Sequence, residues 1–422
     1  MSFSFFKALR PKTPQEVVKT IKDSLMALDT KTVVEVKALE KALEEVEKNF
    51  VTLRCMLCGD GEVEPNMDQV SQLALEVCKE DVPALMIQKL PNLGWEARKD
   101  LVHCWSILLK QKVDSRYCSV EYIENHFEFL DFLVVCYDNK EIALNCGLML
   151  RECIKFPTLA NKRFEFSLTA QNVNGSCECF PGKEENNNSL SLSSCDQGLI
   201  SYPLKKFKPF YNLHACPFIY ILESASFELF FKFVESPNFD VASDAFSTFK
   251  DLLTKHCTVV AEYLTAHYDE CLLANLKALL SQFFDLYEKL LTSSNYVTRR
   301  QSLKLLSEFL LEPPSSHIMK RYILEVRYLK VMMTLLKDSS KNIQIAAFDI
   351  FKVFVANPSK PREVKMILAK NHEKLLELLL NLSAGKGASA IEMDELQEQQ
   401  HNELSQQVYR TLAASYTQEA RV

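Results

Sequence analysis

The chain has 422 residues, with 49 Lys+Arg against 55 Asp+Glu, and its net charge of −6 argues against tracking nucleic-acid phosphates. Only 9 residues are glycine, about 2 % where roughly 7 % is usual. Neither Gly59-Asp-Gly61 nor Gly385-Lys-Gly387 completes a phosphate-cradling motif, which argues against a nucleotide-dependent enzyme.

Apolar residues make up 47 %, enough for a large core, yet no apolar run reaches the roughly 20 residues that span a bilayer. The opening Met-Ser-Phe-Ser-Phe-Phe-Lys-Ala-Leu-Arg lacks an apolar signal region and a glycine at position 2. A soluble cytoplasmic or nuclear protein is the expectation, the cytoplasmic location being preferred. Cys55-x-x-Cys58 has metal or redox spacing, but no second pair follows at finger distance, so an ordinary structural role is expected. Cys78, Cys104, Cys136, Cys146 and Cys153 sit singly within apolar helical patterns, where a free cysteine behaves as a small hydrophobe. His103, His126 and His256 are scattered and form no metal-binding motif.

Helix openings on a polar turn with asparagine recur at Asn92-Leu-Gly-Trp, Asn139-Lys-Glu-Ile, Asn238-Phe-Asp-Val, Asn295-Tyr-Val-Thr and Asn342-Ile-Gln-Ile. Their intervals are 47, 99, 57 and 47 residues. Two of these fit the roughly 40 to 47 residues of HEAT or armadillo repeats. Residues 162–217 and 271–282 account for the other two, since without them the intervals become 43 and 45. Both segments read as insertions, either surface loops or translated remnants of unspliced sequence. The composition of the first predicts disorder, whereas the second can extend a helix. Cys177, Cys179, Cys195, His214 and Cys216 fall in or at the first insertion; no metal and no cofactor are expected. The resulting division is N-terminal helical repeats over 1–161, the insert over 162–217, C-terminal helical repeats over 218–383, and a polar, Glu/Gln-rich tail over 384–422.

Toward the carboxyl end the helical period is clear. Residues 296–311 bury Leu303, Leu306 and Leu310 and stop at Pro313-Pro314. Residues 342–355 carry one stripe of Ile343, Ala347, Ile350, Phe351 and Phe354, ending at Asn357-Pro358. Little alternates with period two, so the fold class is all-α. Tyr296, Arg300 and Lys304 stand at i, i+4 and i+8, one ridge apart from the leucine stripe. An aromatic ring beside two cations suits a partner offering carboxylate and aromatic groups. Lys330 and Met333 lie a turn apart on a later helix, where methionine makes an adaptable wall for an aromatic anchor.

Four blocks carry a family resemblance. They are Glu141-Ile-Ala-Leu-Asn-Cys-Gly-Leu-Met-Leu-Arg-Glu-Cys-Ile154, Phe239-Asp-Val-Ala-Ser-Asp-Ala-Phe-Ser-Thr-Phe-Lys-Asp-Leu-Leu253, Asn295-Tyr-Val-Thr-Arg-Arg-Gln-Ser-Leu-Lys-Leu-Leu306 and Asn342-Ile-Gln-Ile-Ala-Ala-Phe-Asp-Ile-Phe-Lys-Val-Phe-Val-Ala-Asn-Pro358. With the Phe-Phe-Lys amino terminus, the chain resembles the calcium-binding protein 39 (mouse protein 25, Mo25-like) family outside the two inserts and the tail. The resemblance implies an armadillo/HEAT-like α-solenoid without catalysis of its own. It implies a scaffold that binds and activates Ste-twenty-like protein kinases, or the adaptor pseudokinase related to them. Two surfaces are implied: a concave face that cups the kinase lobe, and a carboxy-terminal groove for a Trp-Glu-Phe peptide. Tyr296, Arg300, Lys304, Lys330 and Met333 match the family's partner-contacting positions, as does Phe239. No Asp-x-Asp-x-Asp-Gly loop with a Glu at position 12 supports calcium binding. One departure stands out: where related animal proteins carry an Arg and a Phe, this chain has Pro313-Pro-Ser-Ser-His317. The expected partner is thus a protein kinase or pseudokinase, with no nucleic acid and no membrane span, engaged by a monomer. A generic helical-repeat adaptor in a polarity or trafficking assembly is the alternative reading.

Overall fold

The structure, a computed structural model, describes residues 12–28, 36–59, 61, 64–156, 221, 224–261, 274–384 and 410. The insert 162–217 and most of the tail lie outside the described residues, as does the cysteine cluster Cys177, Cys179, Cys195 and Cys216 with His214.

The helices are α1 (Pro14–Ala27), α2 (Val36–Cys58), α3 (Met67–Lys79), α4 (Val82–Lys89), α5 (Trp95–Leu108), α6 (Cys118–Glu124), α7 (Glu128–Val135) and α8 (Ala143–Ile154). Then follow α9 (Leu229–Phe233), α10 (Phe239–Thr254), α11 (Ala274–Leu291), α12 (Tyr296–Leu311), α13 (Ser316–Tyr322), α14 (Val326–Leu335), α15 (Lys341–Ala356), α16 (Arg362–Lys370) and α17 (His372–Ala384). A two-residue hairpin, β1 (Lys112–Val113) with β2 (Arg116–Tyr117), turns on Asp114 and Ser115, both at positive φ as a tight hairpin requires.

These helices pack into two parallel rows. In one, which we term the inner row, α2, α5, α8, α10, α12, α15 and α17 each contact the next. In the outer row α1, α4, α7, α9, α11, α14 and α16 do the same. Each row buries its apolar stripe against the other, because a single amphipathic helix cannot dry its own face. The result is an all-α solenoid.

Local sequence explains where the helices open. Thr13 and Glu16 form a reciprocal capping box at α1. Asn238 Oδ1 accepts from Val241 N at 3.2 Å, and Asn295 Oδ1 from Val297 N at 2.9 Å. The asparagine rule is not uniform, however. Asn92 ends a 3₁₀ turn and Gly94 is the N-cap of α5, while Ser340 rather than Asn342 precedes α15. Residues 274–282, within the shorter insert, form the first half of α11.

A buried polar network bridges the stretch 157–220. Tyr137 Oη donates to Asp244 Oδ2 at 2.9 Å and lies 2.8 Å from Thr248 Oγ1. Arg151 donates through Nη2 to Asp244 Oδ1 at 2.6 Å and through Nη1 to Thr248 Oγ1 at 2.7 Å. Burial and the neighbouring Asp244 charge push the Tyr137 hydroxyl far above its ordinary pKa, so it stays a donor. Gly147 of α8 leaves room for this network. Aromatic packing continues the same junction, from Tyr137 with Phe230 and Phe233 to Phe249, Phe283 and Tyr287. The solenoid is therefore continuous from α8 to α10.

Candidate partner-binding surface

The first residue of three inner-row helices is an exposed aromatic: Trp95 on α5 (70 % exposed), Phe239 on α10 (69 %) and Tyr296 on α12 (39 %). Each follows directly on a capping turn, where the side chain stands at the row's edge rather than inside it. The sequence ridge singled out Tyr296 and the family resemblance Phe239; neither singled out Trp95, although it too is an aromatic directly after a polar turn.

On α12 the ridge continues with half-buried Arg300 and exposed Lys304. Leu303, Leu305, Leu306, Phe309 and Leu310 face the core. Ser340 Oγ donates to Tyr296 Oη at 3.4 Å. Hydrogen bonds from Ser340 and Asn342 hold the Tyr296 hydroxyl below its ordinary pKa. The ring is thereby tethered to the turn that opens α15.

Arg299, beside the ridge, sets its geometry and has no counterpart in the sequence-based expectation. Its Nη1 donates to the carbonyls of Ser293 at 2.8 Å and Ser294 at 3.1 Å, in the turn before α12. Its Nη2 lies 3.4 Å from Asp338 Oδ2, in the turn before α15. Asp338 in turn accepts from Ser340 N at 2.9 Å, and its carbonyl accepts from Gln344 Nε2 at 2.6 Å. A single guanidinium thus fixes both turns that carry Tyr296 and its tether. Arg299 is committed to the scaffold through partners in two turns that only the tertiary packing brings together, which is why sequence spacing alone overlooked it.

Lys330 is exposed and Met333 is half-buried against the core, both on α14. That helix belongs to the outer row, where it packs on α11, α15 and α16. The ridge packs through α12 on α10, α11, α13 and α15. Lys330 and Met333 are therefore a second patch, joined to the ridge through α15 and α11. Between the rows, Pro313–Ser315 form a 3₁₀ turn with Ser315 fully buried, and neither cation nor aromatic ring projects from that turn.

Elsewhere the candidates for chemistry are sparse. Cys58 Sγ lies 3.4 Å from His103 Nε2, and partial burial raises that thiol's pKa. Among the described residues no group of three or more His, Cys, Asp or Glu can hold a metal ion. Among them, too, no helix is long and apolar enough to cross a membrane.

The Mo25-like family model matches residues 3–395. The chain belongs to the Mo25-like family. It is 37 % identical over 368 residues to the human protein named calcium-binding protein 39-like, covering 87 % of each chain. It is also 37 % identical over 379 residues to the Mo25-like protein of Schizosaccharomyces pombe, covering 90 % of this chain and 92 % of that one. With MO25-like protein 2 of Caenorhabditis elegans it shares 35 % identity over 369 residues, 87 % of this chain and 88 % of the other. Membership accords with the two-row solenoid and with a scaffold role.

Proposed function

We propose that this Mo25-like protein is a cytoplasmic, monomeric scaffold that binds a Ste-twenty-like protein kinase or its adaptor pseudokinase and holds it active. The observation that carries this reading is the Tyr296–Arg300–Lys304 ridge, continued along the inner row by exposed Phe239. Aromatic and arginine side chains at a rigid, pre-set edge are the residue types that dominate protein interfaces. Lys330 and Met333 form a separate patch suited to a peptide ending in Trp-Glu-Phe, with the cation for a carboxylate and the thioether for an aromatic ring.

Activation of this kind is population shift. A surface that fits only the closed lobe arrangement of a kinase stabilises it by the difference in affinity for the two states. The Pro313–Ser315 turn contributes neither charge nor ring, so the contact is concentrated on the ridge.

The test is binding of a fluorescent peptide ending in Trp-Glu-Phe to the full chain. Micromolar affinity, about −8 kcal/mol, is expected, weakened at least tenfold in Met333→Ala and in Lys330→Glu. A folded protein that fails to bind the peptide would shift the assignment to a generic helical-repeat adaptor.

A further inference from the structure

Two cysteines 40 residues apart in the chain meet in the fold. Cys78, in the last turn of α3, and Cys118, the first residue of α6, come together because α3 packs on α6. Cys78 Sγ lies 3.6 Å from Ser119 Oγ, and its thiol donates a hydrogen bond to the Cys118 sulfur. One turn further along α6, Tyr122 Oη donates to Asp81 Oδ1 at 3.2 Å, so α6 is pinned beside the end of α3 at two successive points. Both cysteines are half-buried, unlike Cys104 and Cys146, which lie in the core.

The two thiols are not equivalent. The Cys78 hydrogen bond, opposed by burial and assisted by Ser119, lowers the Cys118 thiol to about 7, so much of it is thiolate at neutral pH. Cys78 moves the other way, because losing its proton would break that hydrogen bond beside a charged sulfur. A nucleophilic thiolate touched by a second, protonated thiol is the arrangement that reversible oxidation needs.

We propose that Cys118 and Cys78 form a dithiol switch oxidised by hydrogen peroxide, Cys118 attacking and Cys78 resolving, whose disulfide clamps α6 onto α3. The Cys118 thiolate displaces hydroxide from the peroxide and becomes a sulfenic acid; the hydroxide takes up a proton to give water. The sulfenic acid is neutral, so the charge that kept Cys78 protonated is gone. Cys78 then loses its proton and attacks the Cys118 sulfur. The sulfur–sulfur bond forms as the sulfenic hydroxyl leaves with that proton as a second water. The peroxide gains two electrons and the two thiols lose them. The ring closed in this way contains α4, α5 and the hairpin, with Trp95 among them. The switch does not depend on what the ridge binds.

The test adds one equivalent of hydrogen peroxide to the reduced full chain at neutral pH, quenches with an alkylating agent and locates the products by tandem mass spectrometry. A Cys78–Cys118 link should form about tenfold faster than any oxidation of Cys58. Cys58 is the exposed cysteine among the described ones, but burial of its sulfur raises its thiol, so exposure and thiolate character predict opposite orders. Dithiothreitol should restore both thiols. In Cys78→Ala the Cys118 sulfenic acid should persist and be trapped by dimedone, and in Cys118→Ser Cys78 should stay reduced. Oxidation of Cys58 as fast as Cys118 would overturn the proposal. So would a Cys118 sulfenic acid that accumulates in the parent without forming the link, or a Cys118 disulfide to a second chain in place of Cys78.

Discussion

Gly147→Ala is a replacement that ought to stabilise a helix interior by about 1 kcal/mol, because alanine is the better helix former. Here the sign should reverse. A methyl group on Gly147 would overlap Asp244 Oδ2 and the Tyr137 hydroxyl and lie 2.9 Å from Asp244 Cγ. The Asp244 carboxylate would have to swing away from Arg151 Nη2 and Tyr137 Oη, which it now binds at 2.6 and 2.9 Å. Breaking a buried charge pair costs about 3 to 5 kcal/mol. These side chains retain 17 % and 12 % exposure, so the low end applies. The net effect is then a loss of about 2 kcal/mol, read as a lowered thermal midpoint by circular dichroism. The same change made in a background carrying both Asp244→Ala and Tyr137→Phe should be neutral or stabilising, since both overlapping groups have gone. A Gly147→Ala protein that melts higher than the parent would refute the reasoning.

Other expectations follow from the same geometry. Arg299→Ala removes the tie between the turns before α12 and α15 and should cost about 2 kcal/mol; Arg299→Lys, unable to reach both turns at once, should recover little of it. Burial works to raise the Glu152 carboxyl, but the hydrogen bond and charge of Lys155, with the Lys110 charge, hold it below its ordinary 4.5. Its contribution is therefore complete above about pH 4.5, where the unfolded carboxyl is also ionised, and is lost as pH falls through the lower folded value. Glu152→Gln should accordingly lessen the fall in thermal midpoint on acidification below pH 4.5, and an unchanged fall would contradict this. The Cys78 hydrogen bond lowers the Cys118 thiol to about 7. Alkylation of Cys118, followed by mass spectrometry, should set in at lower pH in the parent than in Cys78→Ala, which removes the donor; identical pH profiles would count against the thiol–thiol contact.

The sequence made the helical rows legible because their burial is periodic. The Leu303–Leu306–Leu310 and Ile343–Phe354 stripes face the core as their spacing requires, and α12 runs over the residues that spacing predicts. What spacing cannot reveal is which surface residues are already spent on distant groups. Arg299 is one of two adjacent, chemically identical arginines, and nothing in that spacing announces its bonds to Ser293, Ser294 and Asp338. The need for Gly147 was equally hidden, because the atoms that fill the space above it come from Asp244, 97 residues on. Lys330 and Met333 are one turn apart in sequence, but the row they occupy depends on how α14 packs, a tertiary fact. Exposed aromatics such as Trp95 were readable in principle, since an aromatic after a capping turn stands at the open end of its helix.

The most direct test of the central claim is a purified kinase assay. Full-length protein is titrated into a Ste-twenty-like kinase domain and phosphate transfer to a model substrate is followed. Saturable stimulation is predicted, and it should be lost in Phe239→Ala with Lys304→Glu, two exposed positions, while the thermal midpoint stays within about 1 °C. Equal stimulation by that variant, or none by the folded parent protein, would contradict the assignment of the ridge as the activating surface.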